Sequence, residues 1–276
     1  MIPVVLLLVV VGSVQAQVCR PGPRSNEANT LAQLSVPLAF GDATAPTSKT
    51  AFEIGFEASY LPTIDSATAT PTICRPGKGS EHTDFLFAIP RPRITVPLPG
   101  GLALQAAWVP PIRINGVKAN LVGLSLDKVF ALGDRFAAVV GAHTTLGTIH
   151  APITCDQDAL SDPISECFQG TRSDDRYSPN IYGADLTVGW GNGAIRPYLG
   201  GGYNRLQPRF QVNFTNQFGS VDSTKVEVNL DRGVVFGGAT WAMGERIDLT
   251  GEVYAAPADA VTARLVLRAA LGKLSP

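Results

Sequence analysis

His143 is the side chain in this sequence best suited to moving a proton, and Thr145 falls on the same side of an extended backbone. Ser59 and Asp185 face that same enclosed side if their own segments are strands. A histidine, a hydroxyl and a carboxylate are the parts of a hydrolase, in which a base must reach the proton of its nucleophile within hydrogen-bond distance. Spacing along the chain does not bring these residues together across strands. A lone histidine in a strand wall is more often a structural polar group. His82 and His150 lie beside loops and add no second base.

Other chemistry is weaker. Asp156, Asp158, Asp162 and Glu166 share one loop, with Asp174 and Asp175 close behind. Oxygen-rich loops hold Ca²⁺, but the EF-hand spacing and its glycine are missing, so a solvated loop face is expected and no metal site. Gly200-Gly201-Gly202 lacks the Lys-Ser/Thr of a phosphate cradle and lies inside a strand pattern, where glycine relieves crowding or bends the wall. Asn213-Phe214-Thr215 has the form of a glycosylation acceptor and carries no weight here. No cofactor signature is present.

The four cysteines have no CxxC spacing and no clustered histidines, which argues against zinc. They fit disulfides in an oxidising compartment. Cys155 and Cys167 share one polar stretch and are expected to pair, leaving Cys19 with Cys74, each of which opens a Cys-Arg-Pro-Gly tetrapeptide. An apolar run from Ile2 to Val11 followed by Val14-Gln15-Ala16 reads as a secretory signal over residues 1–16, with the mature chain beginning near Gln17.

The elements that must position these residues are strands. The chain has 276 residues and a formal net charge of -1, which points to no nucleic-acid partner. Charged residues make up 16%, below the roughly 25% of ordinary soluble domains. From Arg246 the sequence alternates with period two. Ile247, Leu249 and Val253 oppose Asp248, Thr250 and Glu252, and Val261 to Leu271 repeats the pattern against Thr262, Arg264 and Arg268. Such alternation predicts β-strands. Further strands are expected over 51–60, 85–98, 102–109, 117–130, 135–146, 181–190 and 195–206. Pro90 and Pro92 are out of place inside a strand.

About ten strands result. Turns near 99–101, 132–134, 191–193 and 243–245 are short, whereas connections near 62–83, 147–178 and 207–224 are long. Transmembrane barrels have this asymmetry, with short periplasmic turns and longer outer loops. Phe130, Phe136, Trp190 and Trp241 sit by the short turns, and Tyr60, Trp108, Tyr182, Tyr203 and Tyr254 by the long loops. Two aromatic girdles at the membrane boundaries are expected. From Ala51 to Leu271 the chain resembles the bacterial outer-membrane β-barrel proteins. Its last strand, Val261-x-Ala263-x-Leu265-x-Leu267-x-Ala269-x-Leu271, is similar to the C-terminal strand that the family's assembly machinery recognises. The family's usual terminal aromatic is replaced here by Leu271 and a short extension. The resemblance implies an all-β, antiparallel transmembrane barrel in contact with outer-membrane lipid and lipopolysaccharide. It carries no catalytic residue across.

If the apolar faces meet lipid, the opposite faces line the bore. They give Glu53 and Glu57, then Arg91 and Arg93, then Asp248 and Glu252, then Arg264 and Arg268, a ladder of alternating sign around the closing seam. A barrel of this size is filled by side chains, so a self-satisfied ladder is expected rather than a selective pore. Arg232 falls on the apolar face of its strand, and a bulge near Gly233 or Gly237-Gly238 is expected to turn it inward. Residues 17–50 form either a first strand, with Leu34, Val36, Leu38 and Phe40 on one face, or a segment plugging a barrel of residues 51–272. The functional expectation is a structural or narrow transport barrel, with a small hydrophobic molecule as the ligand of a carrier variant. A barrel hydrolase centred on His143 and a secreted soluble β protein for adhesion or recognition are the alternatives.

Overall fold

The computed structural model describes residues 17–46, 50–191 and 193–275. The expected signal segment, residues 1–16, lies outside them. Ten long strands carry the fold: β1 (Thr50–Tyr60), β2 (Ala88–Leu98), β3 (Leu102–Val109), β4 (Val117–Ala131) and β5 (Phe136–Ala151), then β6 (Ile181–Trp190), β7 (Ile195–Leu206), β8 (Leu230–Ala242), β9 (Ile247–Ala256) and β10 (Ala260–Ser275). Each pairs antiparallel with the next, and β10 pairs back onto β1, from Arg264 opposite Ser59 to Leu271 opposite Phe52. The sheet closes on itself as a barrel, the arrangement that lets strands cross a bilayer with their ladder bonds internal, and its pairing is incomplete where β2 meets β3. Among the described residues no helix is long and apolar enough to cross a membrane.

The period-two pattern sets which side chains point where. On β1, Phe52, Ile54 and Phe56 are 40–49% exposed on the outside, while Glu57, next after Phe56, is 1% exposed on the inside. The exposed apolar belt continues through Leu124, Leu186, Leu199, Val253 and Leu265. The expected girdle residues are exposed at both ends of the belt, with one exception. Tyr254 is 3% exposed and points into the bore, stacked on Phe236. It has the parity of Glu252, two residues earlier, so its side follows from the same alternation that places the ladder.

Two further expectations are corrected. The β7–β8 register runs unbroken from Ile195–Trp241 to Leu206–Leu230, so no bulge turns Arg232. The apolar face of β8 is itself the inner face toward its outer end, where Leu230, Val234 and Phe236 are buried. Arg232 reaches Asp259 in the β9–β10 turn at 2.6 Å. The prolines of β2 are accommodated by incomplete pairing. β2 bonds to β1 from Ala88 to Thr95, but to β3 only from Arg93 onward. Pro90 and Pro92 lie where there is no β3 ladder to supply.

Residues 26–35 form a helix packed under the outer loops and residues 36–46 enter the barrel, so the strand reading of this stretch is wrong. Ser25 caps helix α1 (Asn26–Ser35), accepting a hydrogen bond from Ala28 N at 3.1 Å. Ala28, Leu31, Ala32 and Ser35 recur at helical spacing and are buried. A short 3₁₀ turn, Val36–Leu38, follows. The chain then descends past Phe40 and Asp42 to Pro46, which touches Gly189 near the short-turn end. The N-terminal end is therefore on the long-loop side. There Val18–Cys19 adds in parallel to Lys225–Glu227, the last member of a small sheet built on the end of β5. Cys19 is bonded to Cys74 and Cys155 to Cys167, as the spacing predicted.

Candidate functional site

All eight ladder residues point into the bore. Glu57 is shared by Arg91 and by Arg93, whose Nη1 lies at 2.9 Å. Arg264 reaches Glu252 at 3.1 Å, and Arg268 reaches Glu53 at 3.3 Å. Asp248 departs from the ladder and pairs with Arg196 of β7 at 2.7 Å. The pairs are buried: Glu57, Arg91, Arg93, Glu252 and Arg264 are each at most 4% exposed. Buried charges persist only where partners and hydrogen bonds replace water.

The arginines have a second set of partners that the sequence pattern did not reveal. Arg91 donates to the Leu38 carbonyl at 3.0 Å, and Arg264 to the Ala39 carbonyl at 2.8 Å. Arg93 donates to the carbonyls of Gly41 and Asp42 at 3.1 and 3.2 Å. Arg268 binds the Asp42 carboxylate at 2.7 Å and also its carbonyl. Residues 38–42 have left the helix and joined no sheet, so their carbonyls need donors. Four wall arginines supply them. Arg93 also stands 5.0 Å from the centre of the Phe40 ring. Gly123 makes room for that ring, since a Cβ there would lie 2.8 Å from Phe40 Cγ. Gln105 then links Asp42 to Asp127, donating at 2.9 and 2.8 Å.

His143 belongs to a separate chain of polar groups. Its Nδ1 lies 3.0 Å from Asp185 Oδ2 and its Nε2 3.0 Å from Asn204 Oδ1. Asn204 donates on to the Tyr254 hydroxyl at 2.7 Å. Ser59 is committed elsewhere, donating to Glu57 at 2.8 Å, and Thr145 donates to the Leu38 carbonyl at 3.0 Å. Both ring nitrogens face structural partners, and neither candidate hydroxyl is bonded to the histidine. A nucleophile–base pair is not assembled. Among the described residues no cluster of three or more His, Cys, Asp or Glu could hold a metal ion.

Above the bore, the long loops clamp the start of the buried segment. Glu27 of α1 accepts the backbone N–H groups of Thr72, Ile73 and Cys74 at 2.9, 2.6 and 2.8 Å. Burial pushes this carboxyl up, but the backbone donors outweigh it and hold it below the usual range. Arg75, 5% exposed, ties three loops together through Glu81 at 2.5 Å, Glu166, and Asp222 at 3.5 Å. Burial drives the Glu81 carboxyl up to about 7, against the pull of Arg75. A small, mostly apolar cavity of about 60 Å³ lies beneath these loops, between Leu34 and Leu38 of the segment, Phe85 and Leu86 of the loop before β2, and Ile89 and Val117 of the wall, with Thr83 and Tyr177 also on its lining.

No protein-family model matches the chain, and no characterised protein sequence does. Solved structures share its architecture distantly. The outer membrane protease OmpT from Escherichia coli has 11% identity over 82% of this chain and 96% of its own, with a TM-score of 0.42. The attachment invasion locus protein Ail of Yersinia pestis has 8% identity over 80% of this chain and 96% of its own, at 0.34. The toluene transporter TbuX of Ralstonia pickettii has 9% identity over 95% of this chain and 96% of its own, at 0.30. At this distance no activity passes from them to this chain.

Proposed function

We propose that this chain is an integral protein of a bacterial outer membrane, exported through a cleaved signal peptide, whose bore is held shut by its own N-terminal segment. Its role is structural, exerted through the wall and the outer loops rather than by an open channel. The observation that carries this reading is the fixing of residues 38–42 by Arg91, Arg93, Arg264 and Arg268. Barrels near this size are filled by side chains, and aqueous channels belong to about sixteen strands or more. Here the filling is a covalently continuous piece of chain, tethered outside by Cys19–Cys74 and continuing inside into β1.

The reading is tested by single-channel recording of the detergent-folded protein in a planar bilayer. The wild type is expected to insert without steady conductance. Arg264→Ala/Arg268→Ala loses the contacts to Ala39 and Asp42 and is expected to show openings. Steady wild-type conductance would overturn the sealed bore. A second reading, a carrier for a small hydrophobic molecule, is favoured by the apolar cavity beside Leu34 and Leu38.

A further inference from the structure

The wall of the barrel is unzipped at one place. β2 is bonded to β1 along its outer half, with Tyr60 opposite Ala88 and Glu57 opposite Arg91. On its other side, pairing with β3 stops at Arg93–Ala107. Residues 88–92 therefore have a free side, about 16 Å of strand at ~3.3 Å per residue. Two of these five residues are prolines. In a bilayer an orphaned N–H costs several kcal/mol, so an open edge is normally not tolerated. Pro90 and Pro92 carry no N–H, which removes donors that such an edge would leave unpaired. The opening is thus compatible with lipid contact rather than a defect in it.

What lies behind and around the gap is apolar. The cavity of about 60 Å³ is lined by Ile89, which lies in the unpaired stretch of β2, by Val117 at the outer end of β4, and by Leu34 and Leu38 of the buried segment. A single water needs roughly 10–15 Å³, so the space can take several chain atoms of an apolar molecule. Of its lining side chains only Thr83 and Tyr177 are polar, and the Tyr177 hydroxyl is already bonded to Ser35. Outside, the rim presents Phe87 at 83% exposure, Ile112 at 64% and Trp108 at 50%. Trp108 and Tyr60 belong to the outer aromatic girdle, so the gap opens at the boundary between headgroups and acyl chains.

We propose that the unzipped β2–β3 edge is a side port through which one acyl chain of a membrane lipid inserts its end against Leu38 and Ile89. The proposal rests on the membrane reading above and adds a binding site to it. Occupancy would complete the packing of a bore otherwise filled by protein alone.

The test uses the full protein in nanodiscs containing a phospholipid with a diazirine at the end of one acyl chain. After irradiation, adducts are located by mass spectrometry. The expected wild-type pattern is labelling of the outward residues Ile54 and Val253 together with the inward residues Leu38 and Ile89. Pro90→Val/Pro92→Val restores two donors to the edge, and Ile89→Trp fills the cavity. In either variant, labelling of Leu38 is expected to fall at least fivefold with belt labelling unchanged. Belt adducts without inward ones in the wild type would sink the port. Undiminished labelling of Leu38 in both variants would do the same, as would equal labelling by a water-soluble diazirine, which would mean filling from the aqueous side. Absence of the belt adducts would instead sink the membrane reading itself.

Discussion

Arg91 and Leu38 are 53 positions apart in sequence and meet inside the bore, where the guanidinium donates to the Leu38 carbonyl at 3.0 Å. The same guanidinium holds Glu57, which is also the partner of Arg93. Glu57 is thus the counter-ion that lets two buried cations stand side by side and hold the segment. Glu57→Leu strands both, and removal of one partner from a buried pair costs about 3–5 kcal/mol. Urea unfolding of the detergent-folded variant is expected to show a loss of that order. A change within 0.5 kcal/mol, typical of surface sites, would mean that the pair is hydrated.

The two disulfides are expected to differ in value. Cys19–Cys74 spans 55 residues and Cys155–Cys167 spans 12. In the chain-entropy account the longer loop contributes about 4 kcal/mol and the shorter about 3 kcal/mol. Cys19→Ser/Cys74→Ser should therefore lower the thermal midpoint more than Cys155→Ser/Cys167→Ser. It should also expose the α1 amides to hydrogen exchange, which the second pair should leave protected. The reverse order would show that the tether outside does not hold the segment inside.

Glu81 is expected to make the outer loops sensitive to pH. Its carboxyl titrates near 4.5 when free and is pushed up to about 7 in the fold by burial. A raised carboxyl binds its proton more tightly in the folded state. Its contribution is full below about pH 4.5 and is lost as pH rises toward 7. The shift is worth on the order of 3 kcal/mol. The Glu81 amide bonds to Ala69 and the His82 amide to Ile153, so exchange at these two positions reports loop opening. After correction for intrinsic rates, exchange should be faster at pH 8 than at pH 5, and Glu81→Gln should flatten the difference. An equal pH response in Glu81→Gln would assign it to another group.

His143 is expected to behave as a structural residue. Its replacement by Ala leaves Asn204 short of a buried hydrogen-bond partner, a cost of about 1–3 kcal/mol, and takes away the imidazole beside Asp185. Turnover of a generic ester or peptide by the wild type should be absent. Turnover that His143→Ala abolishes without unfolding would restore the hydrolase reading.

The barrel was legible because alternation is a local property. Any stretch such as Ile247–Ala256 states its two faces without reference to the rest of the chain. Departures come where the rule conflicts with another signal or does not reach. A girdle of aromatics by the long loops includes Tyr254, yet its parity matches Glu252 and puts it inside. Equating an apolar face with the outside makes Arg232 a misfit, whereas toward the loops the inside is apolar too. The helix of residues 26–35 was readable from the Ser25 cap and from Ala28, Leu31, Ala32 and Ser35. It was obscured by the alternation of Leu34, Val36, Leu38 and Phe40. The contacts across the bore, Arg264 with Ala39 or Gln105 with Asp42, were not legible at all. They join residues that no strand register relates.

The path of residues 17–46 also fixes an order of events. The segment runs from the outer loops to Pro46 near the inner mouth, and the next strand in sequence, β1, has the last strand of the chain, β10, as its partner. Were the ring to close first, residues 36–46 would have to thread a bore already crowded with the side chains that bind them. Closure of the β1–β10 seam is therefore expected to follow the placing of the segment, the wall forming around its contents as a casting forms around a core. Assembly of this barrel then handles a filled object.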